Sequence, residues 1–298
     1  MLKRYIFLAA IILVVVFGLL VFAFFPFFTG QFGNNIAVIP VKGELVSDAI
    51  GISQELSAME IVDSIKDAEE NTSVKAILLE INSPGGSVVA SRQIVEKTRQ
   101  AKKPVIAWIS DLGASGAYYV ASAADYIVAD ADSITGSVGV IAFFPNIEGL
   151  LEKIGVRVKI LKRGENKAIG SPFESITPEQ EKIVQQLLDE AFARFKQDLL
   201  LLRAEKLDRE KFESIADGRI ISGMQAKEMG LIDEIGTREQ ALEKAAGIAG
   251  IKDFEVLDYS KKDLSFLNLL TKFGYSIGTG AKKGFFSTNP AGINAKIQ

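Results

Sequence analysis

Three short runs of strand-forming apolar residues follow one another closely: Val74 to Ile81, Pro104 to Ile109 and Tyr126 to Ala129. Each is short, rich in β-branched residues and poor in charge, which predicts strands buried on both faces. Helix-like segments separate them, Val88 to Lys102 and the small-residue stretch Val120 to Ala124. Strands that alternate with helices are joined by crossovers and pair in parallel, so the chain is expected to be an α/β protein built of βαβ units. Ile36 to Val41, Val156 to Leu161 and Phe254 to Tyr259 read as further strands. Leu56, Met59, Val62 and Ile65 fall at helical spacing within Gln54 to Glu70. Thr177-Pro-Glu-Gln180 opens the longest soluble helix, with Thr177 at the N-cap, Pro178 at the first turn and Gln180 at the reciprocal capping position. Its stripe of Ile183, Val184, Leu187, Leu188, Ala191, Phe192 and Phe195 is wide enough for a core or a partner. Ser222-Gly-Met-Gln225 and Thr237-Arg-Glu-Gln240 repeat the capping pattern.

The two ends of the chain differ from this middle. Lys3 and Arg4 precede Tyr5 to Phe28, a run without charge. At about 1.5 Å per residue it is long enough to span a hydrocarbon core of roughly 30 Å. The basic residues before it predict a cytoplasmic N-terminus, residues 1–4, with the remainder outside the cytoplasmic membrane; the run, longer than a signal-peptide core, reads as an uncleaved anchor over 5–28, with a cleavable signal peptide as the alternative. A short polar linker, 29–35, leads into a domain over 36–260. Residues 261–298 carry one amphipathic stretch, then Gly, Ser and Pro without periodicity, and are expected to be a mobile or weakly docked tail.

Two absences restrict the chemistry. The chain has no His and no Cys. A Ser-His-Asp triad, a cysteine nucleophile and zinc sites built on His or Cys are excluded; an all-oxygen site for a hard cation stays open, and no cofactor or metal is expected. A hydrolase with a nucleophile must then use Ser or Thr, activated by Lys, a carboxylate or an amine. A net charge of −3 gives no reason to expect a nucleic-acid partner.

Four loops hold the polar residues that such chemistry needs. Ser115, in Asp111-Leu-Gly-Ala-Ser115-Gly-Ala-Tyr-Tyr119, follows the strand-like Pro104 to Ile109 and precedes the small-residue helix. It is a candidate nucleophile; the alternative is a helix cap. Asn82-Ser-Pro-Gly-Gly86 ends another buried strand, and ligands in parallel sheets gather at the carboxyl ends of strands. The N–H groups of Gly86 and Gly116 can therefore face the atom that Ser115 attacks and form an oxyanion hole. The alternatives for that loop are a plain turn or a phosphate-binding loop, though no Walker lysine pattern is present. Lys167 follows the strand-like Val156 to Leu161; it is either a solvated surface charge or a base buried by Ala168, Ile169, Pro172 and Phe173. Thr135-Gly-Ser137-Val-Gly139 offers a hydroxyl that would hold a lysine amine, or it is a packed turn.

Ser83-Pro-Gly-Gly86, Gly113-Ala-Ser115-Gly-Ala-Tyr-Tyr119, Thr135-Gly-Ser-Val-Gly-Val140, Gly164-x-x-Lys167 and Ala216-Asp-Gly-Arg219 together resemble the signal peptide peptidase A family, in its short single-repeat form. The resemblance covers about Asn35 to Gly250. It implies the ClpP/crotonase-like fold, a spiral of repeated β-β-α units, preceded by one transmembrane helix. It implies Ser115 as nucleophile, Lys167 as general base, Ser137 as the residue orienting that lysine, and Gly86 and Gly116 as oxyanion donors. It further implies a membrane-anchored homo-oligomer, a ring or dome for which eight protomers is one count, in which adjacent chains can supply Ser and Lys to one site. Cleaved signal peptides and other short or unfolded apolar peptides are the expected substrates. Two other readings stand beside it: a membrane protease of the ClpP class that acts on one partner protein, and a non-catalytic crotonase-like membrane scaffold. Lysine is a base only as the free amine, so the dyad reading expects peptidase activity to rise from neutral into mildly alkaline pH.

Overall fold

The structure, a computed structural model, describes residues 13–18, 33–48 and 57–260. The expected anchor lies outside the described residues except for 13–18, which are helical, and the expected tail lies wholly outside them. Among the described residues, no helix is long and apolar enough to cross a membrane.

The core of the molecule is a mixed sheet with helices on both faces. Its central strands are β1 (Asn35–Leu45), β2 (Val74–Gly86) and β3 (Val105–Ala114), all parallel. The remaining strands are β4 (Tyr126–Ala129), β5 (Ile134–Gly136), β6 (Ile220–Ser222), β7 (Glu234–Ile235) and β8 (Glu255–Asp258). The sheet runs β6-β5-β3-β2-β1-β8. β3 is long enough to serve two neighbours: Ile106 to Ile109 pair with β4, and Leu112 to Ala114 pair with β5. β4 then pairs with β7, and β5 with β6 in the only antiparallel ladder among the described residues.

Alternation along the strands sorts their side chains to the two faces. Ile77, Leu79 and Ile81 join Ile39, Val41 and Ile109 in the larger core. There they meet α1 (Ala58–Glu70), α2 (Val88–Gln100) and α3 (Gly116–Ser122). Ala76 and Leu78 join Ile36, Val38 and Ile106 in a smaller core covered by Ala241, Leu242, Ala245 and Ala246 of a later helix, Arg238–Ala249. This two-faced burial is why the strand sequences are apolar throughout rather than alternating.

Local signals set the helix starts. Ser57 and Glu60 form a capping box at α1. The face that α1 buries is Ala58, Ile61, Ile65 and Ala68, whereas Met59 is 51% exposed. The helical spacing expected from Leu56, Met59, Val62 and Ile65 thus identifies the helix but assigns part of its buried face wrongly. Beyond the sheet come α4 (Glu148–Lys153), α5 (Pro178–Leu202), α6 (Arg209–Ile215), α7 (Gly223–Glu228) and α8, the Arg238–Ala249 helix. Capping boxes stand at Thr177, Ser222 and Thr237, where the sequence places them.

One expected strand is absent. Val156 to Leu161 form no ladder, and Val156, Val158 and Leu161 are exposed by 45%, 46% and 84%. Their alternation of apolar and basic residues suits a strand. A period of two reports only that preference, while pairing needs an edge within reach, and no edge of this chain's sheet takes the segment up.

Candidate active site

Ser115 sits where β3 ends and α3 begins, at φ 53° and ψ −124°. It occupies the N-cap position, yet its hydroxyl makes no capping hydrogen bond. The cap-only reading therefore does not describe it. Ser115 and Ser137, at φ 52°, are the two non-glycine residues with positive φ among the described residues. Such backbone costs on the order of 1–3 kcal/mol per residue and persists only where its surroundings hold it. Here they do. The Ser115 N–H donates to the Gly136 carbonyl at 2.8 Å, and the Ser137 N–H donates to the Arg219 carbonyl at 2.8 Å. The Thr135 hydroxyl donates to the Gly113 carbonyl at 2.7 Å. Each strained serine is thus tied to the neighbouring strand at its own amide, and the two serines are tied to each other through β5. Asp217 and Arg219 stabilise the turn that presents the Arg219 carbonyl: the guanidinium holds the Asp217 carboxyl down to about 2 through its hydrogen bonds.

The glycine loop at the end of β2 closes over the same spot. The buried Ser83 hydroxyl donates to the Gly43 carbonyl and accepts the Gly85 N–H at 3.1 Å, which fixes the turn. A Cβ built on Gly86 would strike the Leu45 carbonyl, and one on Gly116 would strike the Ser91 hydroxyl. The same Gly116 Cβ would lie 3.4 Å from the Gly86 nitrogen. Gly86 is glycine because its backbone meets that of Leu45, Gly116 because it meets the Ser91 side chain, and the Gly116 backbone runs close to the Gly86 amide nitrogen beside Ser115.

These residues open on a cleft of about 570 Å³ lined by Gly86, Ser115, Gly116 and Ser137. Val46, Val88, Ile141 and Phe195 form apolar walls. Three further residues line it: Arg92 from α2 and Asp198 from α5, which belong to no sequence motif, and Tyr119, which ends the Ser115 motif. Tyr119 lies four residues after Ser115 and donates its N–H to the Ser115 carbonyl. That spacing is the one signal by which it could have been found. Its buried hydroxyl donates to the Asp198 carboxylate; burial foremost, then that carboxylate, pushes the phenol up from its ordinary value. Arg92 and Asp198 carry no local signal, because only the packing of α2 and α5 around α3 brings them together.

Lys167 is placed elsewhere. It is exposed, in a run of turns where its N–H donates to the Gly164 carbonyl at 3.2 Å. It does not line the cleft around Ser115 within one chain. The apolar neighbours Ala168, Ile169 and Phe173 do not enclose it; Ala168 and Gly170 instead wall a separate recess with Phe144. Among the described residues, no group of three or more acidic side chains stands together in a way that could hold a metal ion.

A parallel α/β sheet that ends in a strained serine beside two adjacent backbone amides is the architecture of a serine hydrolase. Comparison with known proteins gives the family. Residues 97–252 match peptidase family S49, and residues 35–147 match the NfeD1b N-terminal domain. A protein of Methanocaldococcus jannaschii named as a candidate protease is 37% identical over 274 residues, which are 89% of this chain and 87% of that one. A candidate signal peptide peptidase SppA of Enterococcus faecium is 33% identical over 72% of this chain and 62% of its own length. Protease 4 of Haemophilus influenzae is 32% identical over 80% of this chain and 39% of its own. Among solved structures, a variant of a membrane-bound stomatin-specific protease superposes with a TM-score of 0.47 and 19% identity, over 76% of this chain and 97% of that chain. The chain belongs to peptidase family S49, is similar to SppA within it, and is a serine peptidase.

Proposed function

We propose that this chain is a membrane-anchored endopeptidase that degrades cleaved signal peptides and other short apolar peptides with a Ser115/Lys167 dyad. The observation that carries the reading is Ser115: a strained, uncapped serine, part-exposed in a cleft beside the amides of Gly86 and Gly116. In the proposed reaction, the free amine of Lys167 takes the proton of the Ser115 hydroxyl. The oxygen then adds to the scissile carbonyl, and the Gly86 and Gly116 N–H groups stabilise the oxyanion, typically by about 2.7–4 kcal/mol per donor. Lys167 gives the proton to the departing amine, and water then hydrolyses the acyl-enzyme. Ser137, in the same cleft, accepts the role of holding the lysine. The anchor is the uncharged run Tyr5 to Phe28, and the catalytic domain lies outside the cytoplasmic membrane.

The exposure of Lys167 favours a site completed by a second protomer. In that arrangement the lysine of one chain reaches the serine of the next, within a closed ring of copies. Two bare surfaces support association: the unpaired Val156 to Leu161 stretch, and the α5 stripe, where Ile183 and Leu187 are 40% and 61% exposed. The test is complementation. Ser115→Ala and Lys167→Ala chains should each lack peptidase activity and should regain part of it when dissociated, mixed and reassembled. Fluorophosphonate labelling should be lost in Ser115→Ala. Near wild-type turnover by Lys167→Ala alone would remove the dyad. An active Lys167→Ala chain that still labels at Ser115 would leave a serine peptidase with another base. A second reading is a membrane protease dedicated to one partner protein. Comparing the peptides released from membranes by wild type and by Ser115→Ala separates the two.

A further inference from the structure

The cleft contains charge that the proposed hydrolysis does not use. Arg92 is half-buried on α2 and lines the cleft one turn past Val88. Among the described residues it forms no ion pair; its guanidinium acts on the hydroxyl of Tyr119, whose proton goes to Asp198. Arg92, Tyr119 and Asp198 therefore form a row across three helices, α2, α3 and α5, along the wall that begins at Ser115. Apolar residues flank the row, namely Val88, Ala191 and Phe195. The other charge in the cleft, Glu44, is exposed on β1.

The balance of donors and acceptors in this row is uneven. A guanidinium has five N–H donors in a planar fork, and Arg92 brings that fork to the cleft with no ion pair among the described residues. The Asp198 carboxylate already receives the Tyr119 proton. Asp198 forms no ion pair with Arg92, so the guanidinium fork has no two-oxygen partner of its own, and the partner it fits is a planar carboxylate. A partly desolvated guanidinium facing apolar walls is also where a charge-assisted pair is worth most.

We infer that Arg92 is a specificity-determining residue that binds a carboxylate of the peptide held in the Ser115 cleft. The inference rests on the reading of Ser115 as the peptidase nucleophile, which places the peptide there. The carboxylate comes from one of two sources, a Glu or Asp side chain or the free C-terminus of an already cleaved peptide. The apolar walls accept the flanking aliphatic groups, so the substrate class is an apolar peptide with one carboxylate near the bond to be cut.

The experiment measures binding apart from turnover. Full-length Ser115→Ala protein in detergent is titrated with a fluorescent apolar peptide in four forms, Glu or Gln at one internal position, each with a free or amidated C-terminus. A charge-assisted hydrogen bond of about 1.5–3 kcal/mol should make one carboxylate form roughly ten-fold or more tighter than its neutral counterpart. The internal pair or the terminal pair shows which source is read. In Arg92→Gln the difference should vanish, and in Arg92→Lys it should shrink, because the charge remains while the fork is lost. In Arg92→Glu a peptide carrying Lys at that position should become the preferred ligand. Equal binding of all four forms, tighter binding of a Lys peptide by the unaltered Arg92 protein, or a carboxylate preference that survives in a folded Arg92→Gln would overturn the inference. Loss of peptide cleavage by wild type with the binding preference intact would instead count against the peptidase reading alone.

Discussion

At the residue scale, the site depends on places where a side chain cannot exist. Gly86 and Gly116 both lack room for a Cβ, but what they would strike differs. At Gly86 it is the backbone of Leu45, which cannot yield without moving β1. At Gly116 it is the hydroxyl of Ser91, the end of a small side chain. Gly116→Ala should therefore lose stability by about 1–3 kcal/mol, as overpacking does, and Ser91→Gly in the same chain should restore part of it. Gly86→Ala should lose as much or more, and no single side-chain truncation should rescue it. Urea unfolding of the four proteins checks this. If Ser91→Gly rescues neither, the backbone placement at Gly116 is wrong. Ser137→Ala should be milder than either catalytic substitution, costing about 1–2 kcal/mol in activation free energy if it removes one hydrogen bond to the lysine. A steady-state kcat/KM comparison reads that directly.

At the element scale, the cleft is held from behind by a buried ion pair. Arg203, 2% exposed, caps the C-terminal end of α5. It donates to both oxygens of Asp233, at 3.0 and 3.1 Å, and to the Gly230 carbonyl. Asp233 also pairs with Lys206 and accepts the Ile127 N–H of β4. Burial acts to raise the Asp233 carboxyl, but the Arg203 hydrogen bonds and charge, with Lys206 and the Ile127 N–H, outweigh it and hold the carboxyl below its ordinary value. The pair thus fastens α5, which carries Phe195 and Asp198 to the cleft, onto the sheet. Asp233→Asn should cost about 3–5 kcal/mol, because it leaves Arg203 buried without its counter-charge. A lowered carboxyl stabilises the fold above its unfolded-state value and loses that contribution as pH falls through its folded value. The gap between wild type and Asp233→Asn should therefore be full above about pH 4, near the ordinary Asp value, and close below it. Denaturant midpoints across pH measure the gap; one that stays constant down to pH 2 would show that Asp233 is not the group responsible.

At the scale of the whole molecule, the described residues leave bare apolar surface that a globular monomer would cover. The α5 stripe buries Phe195 and Leu199 against the core and leaves Ile183 and Leu187 in solvent. Leu187→Glu should dissociate an assembly seen by light scattering while changing the unfolding free energy of the separated chain by no more than about 0.5 kcal/mol. Peptidase activity should fall with dissociation, since Lys167 does not reach the Ser115 cleft within its own chain. Full activity in a dispersed Leu187→Glu protein would exclude a site shared between protomers.

Much of this protein is written in its local sequence. Uniformly apolar strands at Val74 to Ile81 and Pro104 to Ile109 require a sheet covered on both faces, and capping boxes at Thr177, Ser222 and Thr237 start the helices where they start. The loops of Ser83 to Gly86, Ser115 and Ser137 stand out in the sequence as candidates because small residues after strands mark places where backbone must come close. Other features depend on contacts between residues far apart in the chain. The positive φ of Ser115 is held by a carbonyl on β5, and Arg92 meets Tyr119 and Asp198 only because α2 and α5 pack around α3. Val156 to Leu161 has the period of a strand and no edge to join, because a pattern along the chain carries no information about which partner lies beside it. For the same reason the sequence offers Lys167 as either a surface charge or a candidate base, and the tertiary structure places it outside the lining of the Ser115 cleft within one chain.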